Sequence, residues 1–405
     1  METSVKINER IGEIEPAMRA IRRQIHSRPE LGYAEFETSK LIIQALRAAG
    51  LNVIEGFGGT GVVGVLKQGQ GEKILALRAD MDALPIEEVN TFPHRSANPG
   101  CMHACGHDGH VAMLLGAAQY LACHGAFDGT IVFIFQPAEE HGAGAKAMID
   151  DGLFDQFDAD AVFSLHNWPG LSAGHFAVRR GPIMASTNKF TILLRGTSAH
   201  AALPHQGKDP LFAAVQLYNC LQGLITREKD PMAAAVMSIT QLVAGGAQNV
   251  VCSEASIAGT LRTLAKETID DFESRIKELA SAVAGGLGCT AEMTFERNCP
   301  PTINSNAETD FALEVMRDVV GADHVNGDVP ATMGGEDFAY MLEKKPGCYA
   351  FLGNGIGSRR DLPHGAGPCI LHSASYDFND EILKIGASYW IALAEKYLQG
   401  FPRES

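Results

Sequence analysis

The chain has 405 residues and a mass of 43.3 kDa, too long for one ordinary core and suited to two, at roughly 100–200 residues each. Its 48 acidic residues against 33 Lys and Arg give a formal charge of −15, which argues against nucleic-acid or anionic-membrane partners, since both need basic patches. Apolar residues at 46% and charged ones at 20% exclude a disordered chain, and no apolar run reaches the ~18 residues of a bilayer span.

Helices are expected over residues 11–25 and 35–49, the second ended by Gly50. A strand pair punctuated by Gly56, Gly58, Gly59 and Gly61 follows. Apolar runs at 74–77, 131–135 and 161–165 read as buried parallel strands, with helices at 111–122 and 144–151 between them, so this part is α/β. Residues 188–299 change pattern to β-α-β-β-α-β, the split βαβ order of a ferredoxin-like domain. The segment reads as an insertion at 187–299, which leaves 1–186 and 300–405 as one discontinuous domain. The glycines of Gly353-Asn354-Gly355 read as a turn.

The three parallel strands end in polar residues. Asp80 and Asp82 follow the first, Glu139 and Glu140 the second, and His166 the third. Functional groups in open α/β sheets collect at these carboxyl ends. Seven of the fourteen histidines (His94, His103, His107, His110, His124, His141 and His166) lie between residues 94 and 166, and residues 96–145 contain no Lys or Arg. The densest cluster is Cys101-Met102-His103-Ala104-Cys105-Gly106-His107-Asp108-Gly109-His110. It lacks the second ligand pair of a zinc finger. Alone it fits a metal site or a polar loop capping the next helix, with Asp108 as N-cap. Glu139-Glu140 alone fits a solvated helix start equally well. With His166 at the neighbouring strand end, the set favours metal: one carboxylate can ligate while its neighbour takes a proton from water. The nine cysteines, odd in number and scattered from Cys101 to Cys369, point to a reducing, cytoplasmic setting, and the charged N-terminal segment has no apolar signal core.

The motifs RADMDALP, CMHACGHDGH, QPAEEHGAG, LHNWPG, MGGEDFAY and ILHSASYDFND, in this order and spacing, resemble the dinuclear-metal amidohydrolases related to aminoacylases and carboxypeptidases. The branch most similar holds hippurate hydrolases, bacterial N-acyl-amino-acid amidohydrolases and plant hydrolases of auxin–amino-acid conjugates. The resemblance covers nearly the whole chain. It implies an aminopeptidase-like α/β catalytic domain with an inserted ferredoxin-like lid, dimeric or tetrameric through that lid. It also implies two divalent ions per subunit (Mn, Zn, Co or Ni), held by Cys105, His107, Glu140, His166 and His372. Cys105, Glu140 and His372 would take one ion; Cys105, His107 and His166 would take the other.

In the same resemblance Glu139 is the general base, and Asp82 orients a ligand histidine. His200 stabilises the oxyanion of the partner subunit's site. Asn249 and Arg262 hold the substrate carboxylate. Gly335, with Gly334 ahead of Glu336-Asp337, is expected on its own chemistry to let substrate approach closely, because glycine has no Cβ. Read without the resemblance, His372 is a lone polar residue, His200 belongs to a surface turn, and Arg262 makes a structural ion pair. The sequence Ser373-Ala374-Ser375 after His372 departs from the family's usual triplet and leaves the local loop shape open. Met184, Phe338 and Leu362 are expected to line the acyl pocket. The activity implied is hydrolysis of N-acyl-amino-acid amides. A di- or carboxypeptidase and a non-catalytic metal-binding relative remain as alternatives.

Overall fold

A computed structural model of the chain describes residues 2–140, 143–356 and 367–399, with side chains from residue 9 onward. His141 and Leu362 lie outside the described residues. The chain divides into two compact units: Met1–Ile183 with Ile303–Pro330 and Asp337–Ser405, and Met184–Thr302 with Ala331–Glu336. The sequence boundaries assign 331–336 to the outer segments, whereas this stretch clusters with the second unit.

The first unit begins with α1 (Glu2–Ser27), α2 (Phe36–Ala48), β1 (Asn52–Phe57), β2 (Gly61–Gln68) and β3 (Ile74–Asp80). Next come α3 (His107–His124), β4 (Gly129–Gln136), α4 (Gly144–Asp150) and β5 (Ala161–Pro169). The second unit contains β6 (Thr187–Arg195), α5 (Pro210–Gly223), β7 (Ala235–Ala244), β8 (Glu254–Thr263), α6 (Lys266–Gly286) and β9 (Thr290–Cys299). The chain then re-enters the first unit through α7 (Asn306–Val320), β10 (Gly347–Gly355) and α8 (Leu383–Leu398).

The first unit is built on an eight-stranded mixed sheet in the order β1-β2-β4-β3-β5-β10, completed by the short strands Phe176–Ala177 and Val325–Asn326. β4, β3, β5 and β10 run parallel, as the apolar runs of the first three lead one to expect. Leu75, Leu77, Ile131, Phe133 and Phe163 are fully buried, and each such side chain contributes about 1.5–3 kcal/mol. The same core covers α3 almost all round, which explains why that helix shows no polar face (Val111, Met113, Leu114, Leu115, Leu121 buried).

Gly353-Asn354-Gly355 is not a turn but the end of the buried strand β10. Its glycine serves a close approach: a Cβ at Gly353 would overlap the Ser172 carbonyl. Phe338 is likewise no pocket wall. It is fully buried, stacked beneath the Arg78 guanidinium at 5.7 Å and beside Tyr349.

In the second unit the antiparallel order β7-β8-β6-β9 is that of a split βαβ domain. α5 starts cleanly: Asp209 accepts from the amides of Leu211 and Phe212, and Pro210 occupies the first helical position. Its inner face buries Ala213, Ala214, Leu217 and Leu221, and α6 buries Ile269, Phe272, Ile276, Ala280 and Ala284 at helical spacing. The outer face of α5 leaves Leu211, Phe212, Val215 and Tyr218 exposed, and β7 leaves Val236, Leu242 and Val243 exposed. No helix among the described residues is long and apolar enough to cross a membrane.

Candidate metal centre

Gly106, not Asp108, precedes α3, with φ 96° and ψ 13°. This left-handed residue lets the chain swing from Cys105 into the helix so that His107 and His110, three apart, share one face. β3 delivers Asp80 and, just beyond its end, Asp82; β4 delivers the Glu139–Glu140 turn, and β5 carries His166. His372 arrives from the C-terminal segment, its amide donating to the Ala104 carbonyl at 2.8 Å.

Two groups of ligand-type atoms result. Cys105, Glu140 and His372 form one, and Asp80, His107, His110 and His166 form a fully buried second, each within 4.8 Å. They adjoin, because Cys105 Sγ lies 3.4 Å from His166 Nε2. His107, Glu139 and Glu140 also converge within 4.8 Å.

Hydrogen bonds divide these residues into those with an open donor atom and those without. His107 Nδ1–H donates to the Asp82 carbonyl at 2.9 Å and to Asp82 Oδ1 at 3.1 Å, so its Nε2 faces inward, buried and without a hydrogen bond, 3.7 Å from Asp80 Oδ2 and 3.9 Å from Glu140 Oε1. Asp82 Oδ2 accepts the Glu140 amide at 3.1 Å and so ties both residues together. His166 Nδ1–H donates to the Asn167 carbonyl at 2.7 Å, which leaves Nε2 toward Cys105. Glu140 Oε1 is buried with no well-formed hydrogen bond, although His372 Nε2 lies 3.2 Å away.

His110 and Asp80 are already committed. His110 pairs through Nδ1 with Asp80 Oδ1 at 2.5 Å, and its Nε2 accepts the Asn167 amide at 3.0 Å. Asp80 Oδ2 accepts from Arg78 Nη1 at 2.9 Å. Arg78 also donates to Gln136, Ser164 and Asp337, and Asn167 Nδ2 donates to the Tyr376 hydroxyl at 2.7 Å. These residues form a buried support under the open donors, the arrangement that fixes ligand orientation in metal sites. Glu139 Oε1 accepts the Asp337 amide at 3.4 Å.

The electrostatics suit a cation. Burial, then Glu140, Glu139 and Asp80, hold the Cys105 thiol well above its ordinary value. Burial opposes a charge on His107, but Asp80, Asp82 and Glu140 outweigh it and raise the ring to about 10. Burial, then His110, keeps His166 neutral, with its pKa well below the usual range. His107 Nε2 and Glu140 Oε1, buried without hydrogen bonds beside the Cys105 thiol, fit a divalent ion of N, O and S preference.

A second buried charge network flanks the other side of α3. His26 pairs with Asp108 at 2.9 Å and Glu88 at 3.3 Å, and Arg22 reaches Asp108 at 3.5 Å and Asp380 at 2.6 Å. Sequence reasoning missed this network, as it missed the Arg78, His110, Asn167 and Tyr376 support. The i, i+3 spacing of His107 and His110 was the one available signal.

In the second unit, Val250 of a two-residue strand pairs with His200, and the Ala201 amide donates to the Asn249 carbonyl at 2.9 Å, so His200 and Asn249 are neighbours, both exposed. Arg262, on β8, lies against Gly335: a Cβ there would sit 3.3 Å from Arg262 Nη1 and overlap Thr187. Met184 is largely buried.

Residues 76–396 match the model of Peptidase family M20/M25/M40. The chain is 42% identical to a hippurate hydrolase of Campylobacter jejuni, over 94% of this chain and 96% of that protein. It is 39% identical to thermostable carboxypeptidase 2 of Saccharolobus solfataricus, over 98% of this chain and 99% of that one. A solved Bacillus subtilis structure, described as a dinuclear metal binding peptidase, superposes with a TM-score of 0.83 at 32% identity, covering 96% of this chain and 100% of its own. Three strand ends, the CGHDGH turn and these likenesses over almost the full length agree: the chain belongs to Peptidase family M20/M25/M40.

Proposed function

We propose that this protein hydrolyses the amide bond of N-acyl amino acids and releases a carboxylic acid and a free amino acid. It is a metal-dependent amidohydrolase. The observation that carries the reading is the set of open donor atoms, Cys105 Sγ, His107 Nε2, Glu140 Oε1, His166 Nε2 and His372 Nε2, with the Glu139 carboxylate beside them. We assign two divalent ions to it, Mn, Zn, Co or Ni. Cys105, Glu140 and His372 would hold one, and Cys105, His107 and His166 the other. Such ions supply positive charge that lowers the pKa of water and polarises an amide carbonyl.

Glu139 then takes the proton of the attacking water and passes it to the leaving amine. Asp82 fixes the His107 ring so that Nε2 points inward. Arg262, whose planar fork suits a carboxylate, and Asn249 anchor the α-carboxylate, with Gly335 leaving room beside Arg262. His200, contributed by the partner subunit, donates to the developing oxyanion. The exposed apolar faces of α5 and β7 support a homodimer through the inserted domain, with a tetramer built from dimers as the alternative assembly. None of the nine cysteines is in a disulfide, which supports a cytoplasmic location.

The test is a panel of N-benzoyl, N-acetyl and longer N-acyl amino acids beside dipeptides, before and after chelation. Hydrolysis of the N-acyl compounds, lost on chelation and restored by Mn, Zn, Co or Ni, is expected. The carboxypeptidase likeness motivates the second reading, in which the peptides are preferred. Absence of any metal-dependent amide cleavage refutes both.

A further inference from the structure

Among the described residues, three other than glycine have positive φ: Tyr33 at 64°, Ala138 at 50° and His372 at 61°. Ala138 immediately precedes Glu139, and His372 belongs to the Cys105–Glu140 group. Tyr33 is the third, and nothing above explains it. Its segment is fastened to the centre at both ends. The Ala83 amide, next to Asp82, donates to the Glu30 carbonyl at 2.8 Å, and the Ala138 amide donates to Glu35 Oε1 at 2.9 Å. Glu35 is held in turn by the Thr60 hydroxyl at 2.6 Å. Residues 30–35 therefore bridge the Asp82 edge and the Glu139 edge.

The turn itself is Leu31 to Ala34, closed by the Ala34 amide on the Leu31 carbonyl at 2.9 Å. Its third position needs positive φ, which favours glycine. A glycine is present, but one place early: Gly32 does not take the left-handed conformation and Tyr33 does. Strain of this kind gathers at functional sites, and an aromatic ring held there at its expense calls for a reason. Tyr33 is 44% exposed, with Leu31 and Phe36 also exposed along the same segment. The turn that carries it lies between the ties to Ala83 and Ala138, which places Tyr33 at the rim of the centre; burial first, then the carboxylates of Asp337, Glu35 and Asp82, hold its phenol above the ordinary value. The segment 30–35 carries no Lys, Arg or His that could hold an α-carboxylate, and Leu31, Tyr33 and Phe36 present apolar surface, so the neutral acyl end is the part of the substrate that fits there.

We propose that Tyr33, displayed by its left-handed turn between the Asp82 and Glu139 edges, packs against the acyl group of the substrate and sets a preference for aromatic over small acyl groups. This inference rests on the N-acyl-amino-acid reading above.

The test compares kcat and KM for N-benzoylglycine and N-acetylglycine with the metal-loaded full chain and its Tyr33→Gly and Tyr33→Phe variants, alongside melting temperature and metal content. Tyr33→Gly is expected to lower the benzoyl-over-acetyl ratio of kcat/KM roughly tenfold, carried by KM for the benzoyl substrate, as loss of one aromatic contact would do. Its melting temperature should hold or rise, because glycine takes the left-handed turn without strain. Tyr33→Phe should keep the parent ratio. An unchanged ratio in Tyr33→Gly, or equal loss on both substrates, overturns the proposal. So does a fall in melting temperature with loss of metal, which marks Tyr33 as purely structural. A parent protein that cleaves neither compound but cleaves longer N-acyl amino acids overturns this inference alone; one that cleaves no N-acyl amino acid overturns the functional reading as well.

Discussion

Gly106→Ala probes the geometry of the centre without touching a ligand. The residue sits at φ 96°, where a Cβ costs about 1–2 kcal/mol. That Cβ would also overlap Asn167 Oδ1 and lie 2.5 Å from the Tyr376 hydroxyl. Relief requires Asn167 to move, which breaks its 2.7 Å bond to Tyr376 and disturbs the amide that His110 accepts at 3.0 Å. Each buried polar group left unpaired costs about 1–3 kcal/mol, so the total comes to about 3–8 kcal/mol. That is a large part of the roughly 5–15 kcal/mol by which domains are stable. Urea unfolding of the metal-free protein measures the loss, and metal content after desalting reports whether Cys105 and His107 still converge. A double-mutant cycle with Asn167→Ala isolates the clash, since the second change should cost less in the Gly106→Ala background than in the parent. An Ala variant with the parent's urea midpoint and full metal content would refute the reasoning.

Other expectations follow from the buried charges. His26 is raised to about 9: burial opposes its charge, but Asp108 and Glu88 outweigh burial. Its contribution is therefore complete below its unfolded value near 6.5 and lost as pH rises through about 9, on the order of 3 kcal/mol. Urea midpoints across that window should fall more steeply in the parent than in His26→Gln. Cys105 and His107 both carry protons in the metal-free protein, so metal uptake should release at least two. Calorimetry in buffers of different ionisation enthalpy counts them, and metal affinity should rise with pH. Arg78→Met removes the partner of buried Asp80 and Asp337 and should destabilise by about 3–5 kcal/mol in thermal unfolding.

Much of the centre was legible because strand ends announce themselves: an apolar run followed by Asp80-Met81-Asp82, Glu139-Glu140 or His166 is a local signal. The inserted domain was legible for the same reason, since alternation in β6 and helical spacing in α6 are local. What stayed hidden depends on distant partners. Arg22 meets Asp380 across 358 positions, and Arg78 meets Asp337 across 259. β10 was misread because its glycines look like a turn until Ser172 is placed against them. Tyr33 left no trace in the sequence, because the left-handed conformation is expected at Gly32 beside it and falls on Tyr33 instead.

The most direct test of the account is Glu139→Gln, read as turnover of an N-acyl amino acid together with bound metal. Glu139 is assigned to proton transfer and not to ligation, so the variant should keep the parent's metal content and substrate KM. Its kcat should fall about 10²–10⁴-fold, the usual share of general acid–base catalysis. A variant that binds metal fully and still turns over at the parent rate would contradict the account.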